Sequence, residues 1–320
     1  MTRTPRLPRV QDASRSLEVL AEETGSRLDV FLAARLGLSR AQTRRLLARG
    51  AVRLEGRTVA EEAKGVALKA GETVDVAPFA RPEHAAARAQ PDLPLRELAT
   101  GPGWIAVDKP AGVPVHPLEE DETGTVLNAA LARHPEIQGV GEKGLRSGVV
   151  HRLDVDTSGV LLLARDEPTW LRLRAAFSAG RVDKVYRAIA LGRVEGAGSV
   201  EVPLLTARHR PARVRVARPE EERVRGVRMA QLAWRVLEEL EGATLVEVRP
   251  RTGFLHQIRA IFAWLGHPLA GDRAYGPPDD PTGAARHMLH ASEIGFEEIA
   301  ARADDAPDFA RLLTALRSGA

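Results

Sequence analysis

Residues 148–166 read GVVHRLDVDTSGVLLLARD. Two apolar runs in this segment, residues 149–150 and 160–163, are typical of buried strands. Between them lies a charged loop at residues 151–159. Side chains alternate along an extended chain, so we expect Arg152 and Asp154 to face the same side. The segment therefore predicts a basic and an acidic group on a rigid apolar frame, either as a reactive pair or as an ordinary surface ion pair.

The composition is that of a globular protein long enough for two domains. The chain has 320 residues, and 44% of them are hydrophobic. It contains no cysteine, which excludes disulfides and thiolate metal sites. No apolar run approaches the roughly 18 residues of a membrane-spanning helix, and residues 1–16 contain arginines but no apolar signal core. We therefore expect a cytoplasmic protein with a disordered tail at residues 1–25.

Basic residues are concentrated in two segments. The chain has 46 basic residues, of which five are lysines and 41 are arginines. Residues 30–54 contain six arginines and no acidic residue, and residues 208–228 contain eight arginines. Arginine binds phosphate through a planar fork of donors. The pattern favours a polyanionic partner, although two solvated faces would give the same distribution.

Residues 26–76 are predicted to form a small α+β unit. Gly37 ends a first helical pattern, and Ser39 is a suitable N-cap for a second helix that Gly50 ends. One side of the second helix is apolar, and the other carries Arg40, Arg44, Arg45 and Arg49. Short strands follow, and a basic helix beside a small sheet suits RNA phosphates. The segment resembles the small RNA-binding domain named after ribosomal protein S-four.

The rest of the chain is predicted to be one larger α+β domain. Residues 77–100 are rich in proline and alanine and are interpreted as a linker. Strand and helix patterns alternate through residues 101–300, with several hairpins, which indicates a mixed, largely antiparallel sheet. Residues 301–320 are interpreted as a C-terminal extension. Within the domain, Leu255 and Ile258 begin an apolar stripe at helical spacing.

The charged loop resembles the signature of the RluA family of RNA pseudouridine synthases. Seven positions carry the match: His151, Arg152, Leu153, Asp154, Thr157, Ser158 and Gly159. Three further segments are similar to motifs of that family: DKPAGVPVHP from residue 108, KVYRA from residue 184, and HQIR from residue 256 followed by GHPLAGDRAYG. The resemblance implies a pseudouridine synthase fold and an isomerase that converts uridine to pseudouridine without a cofactor or metal.

The resemblance also implies a role for each matched side chain. Asp154 would be the catalytic carboxylate, with Arg259 as its ion-pair partner. Tyr186 would pack against the flipped base and assist proton transfer, and Arg152 would fill the stack that the base leaves. Leu255 and Ile258 would line the pocket, although Ile258 also fits a plain helix core. Phe254 and Leu255 replace a polar pair of the family, so the identity of the target uridine does not carry over.

Other interpretations remain open at this stage. The chain is interpreted as a monomer that acts on RNA, with large-subunit ribosomal RNA favoured and transfer RNA as the alternative. A non-catalytic RNA-binding factor would use the same basic segments, and a hydrolase would use Ser158 as nucleophile although no G-x-S-x-G elbow is present. His287 and His290 have a ligand-like spacing but no cysteine or carboxylate partner. Residues 139–144 match the dinucleotide fingerprint but lead into a strand, so we do not expect a nucleotide cofactor.

Overall fold

The chain divides into two compact units. The computed structural model describes residues 11–80, 85–209, 212–221 and 223–318. One unit spans residues 1–85 and the other residues 86–320. In the described part of the chain, no helix is both long enough and apolar enough to cross a membrane.

The small unit combines two helices with two small sheets. Its helices are α1 (Leu28–Leu36) and α2 (Arg40–Ala48). Its strands are β1 (Gln11–Asp12), β2 (Arg15–Glu18), β3 (Val52–Leu54), β4 (Arg57–Thr58), β5 (Thr73–Val76) and β6 (Phe79–Ala80). The larger sheet has the order β2-β5-β3-β4, and β1 pairs with β6. Leu32 of α1 and Leu47 of α2 pack with Val74 of β5 in one buried core.

The start of this unit corrects the expected disordered tail at residues 1–25. Strand β2 pairs antiparallel with β5, with Leu17 opposite Val74. Val19, just after the strand, is buried in the core of the unit. Residues 15–18 are ordered because β2 forms hydrogen bonds with backbone groups of β5 that would otherwise be unpaired along its edge. Residues 1–10 of the expected tail lie outside the described residues.

The large unit is built on one ten-stranded sheet with the order β12-β11-β13-β14-β10-β15-β9-β8-β7, and β16 pairs with β15. The strands are β7 (Arg96–Gly101), β8 (Trp104–Lys109), β9 (Ser158–Ala164), β10 (Asp183–Leu191), β11 (Ala197–His209), β12 (Ala212–Val216), β13 (Arg228–Leu240), β14 (Ala243–Pro250), β15 (Leu289–Phe296) and β16 (Ile299–Arg302). The helices are α3 (Val126–Arg133), α4 (Glu167–Ser178), α5 (Gln257–Trp264) and α6 (Pro307–Ser318). Among the described strands, β9 and β15 form the one parallel pair. The predicted α+β fold with a mixed, largely antiparallel sheet is confirmed.

Three details of the large unit differ from the sequence interpretation. Residues 149–150 form no strand; Val149 makes an isolated bridge to Leu163. The expected linker at residues 77–100 contains β6 of the small unit and most of β7. β7 is a short edge strand of the large sheet, and the proline-rich composition of the segment gave no sign of it. The expected extension at residues 301–320 contains α6, which buries Phe309 and Leu313 against the sheet. The apolar stripe of α6 explains its packing on the domain.

Candidate active site

The charged loop leads directly into β9 of the large sheet. Ser158 and Gly159 at the start of β9 pair with His290 and Ala291 of β15. Gly159 has a φ of 109°, and a Cβ there would lie 2.1 Å from the carbonyl oxygen of Ala291, so only glycine fits. Tyr186 of β10 lies opposite Ala291 on the other edge of β15. The sheet therefore brings the loop and Tyr186 to the same region.

Asp154 and Arg259 form the ion pair at the centre of the site. Arg259 lies on α5, and its Nη1 donates to Oδ2 of Asp154 over 3.0 Å. The same guanidinium binds Asp272 in two places, through Nε over 2.7 Å and through Nη2 over 2.8 Å. The Asp272 side chain is fully buried, whereas that of Asp154 is 22% exposed. One arginine thus joins a buried carboxylate to an accessible one.

Electrostatics fix the charge state of the buried part of this network. Burial alone would raise the pKa of Asp272, but its hydrogen bonds with Arg259 and that positive charge hold the pKa below its ordinary value. Burial works against the charged form of Arg259, yet Asp272 and Asp154 raise its pKa further. Both groups therefore remain ionised at neutral pH. Asp272 also accepts hydrogen bonds from the backbone N–H groups of Ala274 and Tyr275.

Two buried basic side chains, Lys109 and Arg286, hold the backbone of the loop that carries Asp154. Lys109 is fully buried, and its Nζ donates to the carbonyl oxygens of Val155 over 2.7 Å, Val113 over 2.7 Å and Pro110 over 2.9 Å. Burial lowers the pKa of Lys109 to about 7, against the opposing charges of Asp156 and Asp154.

Arg286 is the second of these basic side chains. Its Nη1 donates to the carbonyl oxygen of Asp156 over 2.9 Å, and its Nε donates to Asp308 over 2.7 Å. The backbone on the C-terminal side of Asp154 is therefore held by basic side chains from two distant parts of the chain.

Two histidines hold the ends of the same loop. Nε2 of His151 accepts the backbone N–H of Leu162 over 2.9 Å, and its ring stacks on Phe177. Burial lowers the pKa of His151 to about 3, so the ring stays a neutral acceptor. At the other end, Oγ1 of Thr157 lies 2.9 Å from Nε2 of His287, whose pKa burial lowers to about 4. Neither ring therefore carries charge at neutral pH.

The predicted site residues differ in how far the structure buries them. Asp154, Arg259 and Tyr186 share one region, and both burial and the negative charge of Asp154 raise the pKa of Tyr186. Arg152 lies exposed in the loop. Ile258 is 6% exposed and packs in the sheet core. Leu255 is 39% exposed and precedes α5, which corrects its expected place on the helix. The helix starts later because His256 has a φ of 51°.

Three of the four arginines predicted to bind RNA (Arg40, Arg44 and Arg45) lie on α2 of the small unit, and Arg49 is the C-cap of that helix. Thr43, Leu46 and Leu47 form the buried side of that helix. Arg40 and Arg49 are exposed, and Arg44 and Arg45 are half-buried. The helix is therefore apolar on one side and basic on the other.

Sequence reasoning assigned no role to Asp272, Lys109 or Arg286. Asp272 stood within the quoted GHPLAGDRAYG segment, so that motif was the available signal. Lys109 stood within DKPAG, but nothing local pointed to a carbonyl oxygen 46 residues further on. Arg286 had no local signal, because its bond to Asp156 spans 130 residues.

The arrangement around Ser158 does not suit a nucleophile. Ser158 is 1% exposed, and its Oγ lies 3.0 Å from Nδ1 of His290 and accepts a hydrogen bond from Nη2 of Arg286 over 3.2 Å. A substrate therefore has no access to this hydroxyl. In the described part of the chain, no group of three histidine and acidic side chains has the spacing of a metal site; His287 and His290 bond to different hydroxyls.

The family model and the relatives that match this chain are all described as RNA pseudouridine or pseudouridylate synthases. The family model described as RNA pseudouridylate synthase matches residues 103–264. An uncharacterized RNA pseudouridine synthase of Chloroflexus aurantiacus is 36% identical over 86% of this chain and 83% of its own length. The ribosomal large subunit pseudouridine synthase D of Yersinia pestis is 32% identical over 92% of this chain and 86% of its own length.

Solved structures resemble the fold. The human RNA pseudouridylate synthase domain containing 4 superimposes with a TM-score of 0.55 at 24% identity, over 69% of this chain and 93% of its own. The human RNA pseudouridylate synthase domain containing 1 gives a TM-score of 0.54 at 22% identity, over 70% of this chain and 95% of its own. At these identities the likeness concerns the fold alone.

Proposed function

This chain belongs to the RNA pseudouridylate synthase family and is an RNA pseudouridine synthase, and we propose that it uses Asp154 to isomerise uridine in large-subunit ribosomal RNA. The observation that carries the assignment of Asp154 is its contact with Arg259. A carboxylate that is partly accessible, and that is held by an arginine fixed elsewhere, is suited to act on a bound nucleotide.

The reaction requires a carboxylate near the ribose. The bond between N1 of uracil and C1′ breaks, the base turns, C5 bonds to C1′, C5 loses its hydrogen and N1 gains one. Substrate and product are isomers, so the atoms balance without a redox partner. Asp154 would either attack C1′ or remove a ribose proton, and Arg259 would orient it for both.

The remaining roles follow from exposure and charge. Because its pKa is raised, Tyr186 keeps its proton at neutral pH, so we assign it to packing against the base and to proton donation rather than to proton abstraction. Arg152 is exposed on the loop and would occupy the stack that the flipped base leaves. Leu255 offers an exposed apolar wall for the pocket, while Ile258 supports that wall from the core.

The small unit is proposed to bind RNA. Its helix α2 buries Leu46 and Leu47, and this leaves the four arginines on the other side to contact phosphates. Relatives named for the ribosomal large subunit support ribosomal RNA as the substrate. We further propose that the protein acts as a monomer in the cytoplasm, where ribosomal RNA is found.

Tritium release tests the function and its catalytic residue. RNA labelled at C5 of uracil loses tritium when C5 bonds to ribose. Wild type and Asp154→Asn are incubated with unmodified large-subunit ribosomal RNA and, separately, with transfer RNA. We expect release from ribosomal RNA by the wild type and none by Asp154→Asn, which keeps the shape but loses the reactive carboxylate. The modified position is then mapped.

Asp156→Asn is the matched control, because its side chain is exposed in the same loop and, among the described residues, hydrogen bonds reach only its backbone. It should release tritium at the wild-type rate. Release by Asp154→Asn would remove the catalytic assignment, and release from transfer RNA alone would replace the proposed substrate.

A further inference from the structure

His256 lies beside Asp154 in a strained backbone conformation. It is the N-cap of α5, and its φ of 51° is in the left-handed region, which non-glycine residues rarely adopt. The conformation places Nε2 of its ring 3.9 Å from Oδ2 of Asp154. That distance is too long for a hydrogen bond. The ring is therefore next to the carboxylate but not bonded to it.

Tyr275 determines which nitrogen of His256 carries the proton. Burial holds the pKa of His256 below its ordinary value although the charge of Asp154 works in the opposite direction, so the ring is mostly neutral at pH 7. The Tyr275 oxygen accepts the backbone N–H of Val214 over 2.8 Å and lies 3.0 Å from Nδ1 of His256. All three groups are satisfied when the tyrosine O–H donates to Nδ1. The proton of the imidazole is then on Nε2, the nitrogen nearest Asp154.

The ring of Tyr275 is itself held in place. The guanidinium carbon of Arg259 lies 5.1 Å from its centroid, and that of Arg213 lies 5.6 Å from it. The phenol of Tyr275 is therefore a fixed support for His256, and it contacts the same Arg259 that pairs with Asp154.

His256 and Asp154 together present one donor and one acceptor at matched positions. The His256 side chain is 15% exposed and that of Asp154 is 22% exposed, so both reach the site. Oδ1 of Asp154 accepts no hydrogen bond from the described residues, and Oδ2 takes only the contact with Arg259. Nε2 and Oδ2 are 3.9 Å apart, so an oxygen about 2 Å to one side of the line that joins them would lie about 2.8 Å from each, which is hydrogen-bond distance. A hydroxyl group fits this arrangement because it donates and accepts at once.

We propose that His256 and Asp154 bind the 2′-hydroxyl of the target uridine, with Nε2–H of His256 donating to its oxygen and its hydrogen donated to Asp154. The inference rests on the proposed function, since it places the ribose of the flipped nucleotide beside Asp154. A protein distinguishes RNA from DNA at a given position through this hydroxyl. His256 is then a residue that selects ribose at the reacting nucleotide.

The test compares two RNA fragments that carry the mapped target uridine, one with ribose and one with 2′-deoxyribose at that single position. Affinities of the full chain for both fragments are measured for wild type, His256→Asn and His256→Gln. Asn tolerates the left-handed backbone but is too short to reach the hydroxyl. Gln places an amide N–H near the position of Nε2. Binding is measured before turnover, so that the ribose fragment still carries uridine.

We expect the wild type to prefer the ribose fragment, and we expect that preference to be about tenfold smaller in His256→Asn. His256→Gln should recover part of it. General damage to the fold would weaken the binding of both fragments alike and would leave the ratio of the two affinities unchanged. An unchanged ratio in His256→Asn, with the wild type active on ribosomal RNA, would overturn this inference alone. No tritium release by the wild type would instead contradict the proposed substrate.

Discussion

Asp272→Asn should destabilise the large unit far more than Asp154→Asn, although both changes remove a carboxylate from the same arginine. The Asp272 side chain is fully buried and makes two bonds to Arg259, whose own side chain is 9% exposed. Removing one partner of a buried ion pair costs about 3–5 kcal/mol, because the other charge is left without compensation. Asn keeps one accepting oxygen, so we expect the lower end, about 3 kcal/mol.

Asp154→Asn leaves the buried pair intact. The accessible carboxylate makes one bond to Arg259 and is 22% exposed, so its loss should cost less than about 1 kcal/mol. The difference between the two variants, about 2 kcal/mol or more, is the quantity that tests the reasoning.

Urea unfolding followed by tryptophan fluorescence measures this difference. All four tryptophans (Trp104, Trp170, Trp234 and Trp264) belong to residues 86–320, so the signal reports on the large unit and not on the small one. With a slope of about 3 kcal/mol per M urea for a unit of this size, Asp272→Asn should lower the midpoint by roughly 1 M.

Glu238→Gln provides the surface control. Glu238 pairs with Arg317 at a site where both side chains are well exposed, and its loss should not shift the midpoint measurably. Equal midpoints for Asp272→Asn and Asp154→Asn would refute the idea that Asp272 is what fixes Arg259.

Two further outcomes concern the small unit and the start of the loop. Replacing Arg44 and Arg45 with alanine should weaken RNA binding and reduce the slope of log affinity against log salt by about 0.7–0.9 for each lost phosphate contact; an unchanged slope would show that this face is merely solvated. His151→Gln keeps an acceptor for the Leu162 N–H but removes a group whose pKa falls from 6.5 to about 3 on folding. The neutral ring of the wild type lowers the free energy of unfolding by up to about 1.4 kcal/mol per pH unit as the pH falls from about 6.5 toward 3, because the unfolded state binds the proton more readily. The urea midpoints at pH 7 and pH 5 should therefore differ less in the variant than in the wild type. An equal pH dependence in both proteins would contradict the burial of a neutral ring.

Local patterns predicted the parts of this protein that local chemistry determines. The strand and helix patterns of residues 101–300 indicated several hairpins, and β13 and β14 form one of them. The apolar run at residues 160–163 indicated a buried strand, and it lies in β9. The HRLD and HQIR motifs identified Asp154 and Arg259, which the fold brings to 3.0 Å. In each case the signal lay within a few residues of the group concerned.

The parts that sequence did not predict depend on distant partners. Strands β2 and β7 are edge strands with few buried side chains, so their order comes from pairing with β5 and β8 rather than from their own pattern. Likewise, Lys109 is held by backbone carbonyl oxygens, which leave no trace in side-chain identity.

The unequal burial of the two carboxylates has a consequence for catalysis. Both routes that we propose for Asp154, attack on C1′ and removal of a ribose proton, would abolish its negative charge during the reaction. An arginine held by Asp154 alone would then lose its partner and become free to move. Arg259 instead keeps two bonds to Asp272, whose pKa is held low, so its position does not depend on the charge of Asp154. Arg259 would therefore keep its position while the proposed catalytic carboxylate, Asp154, gains and loses its charge, which is what a preorganised site requires.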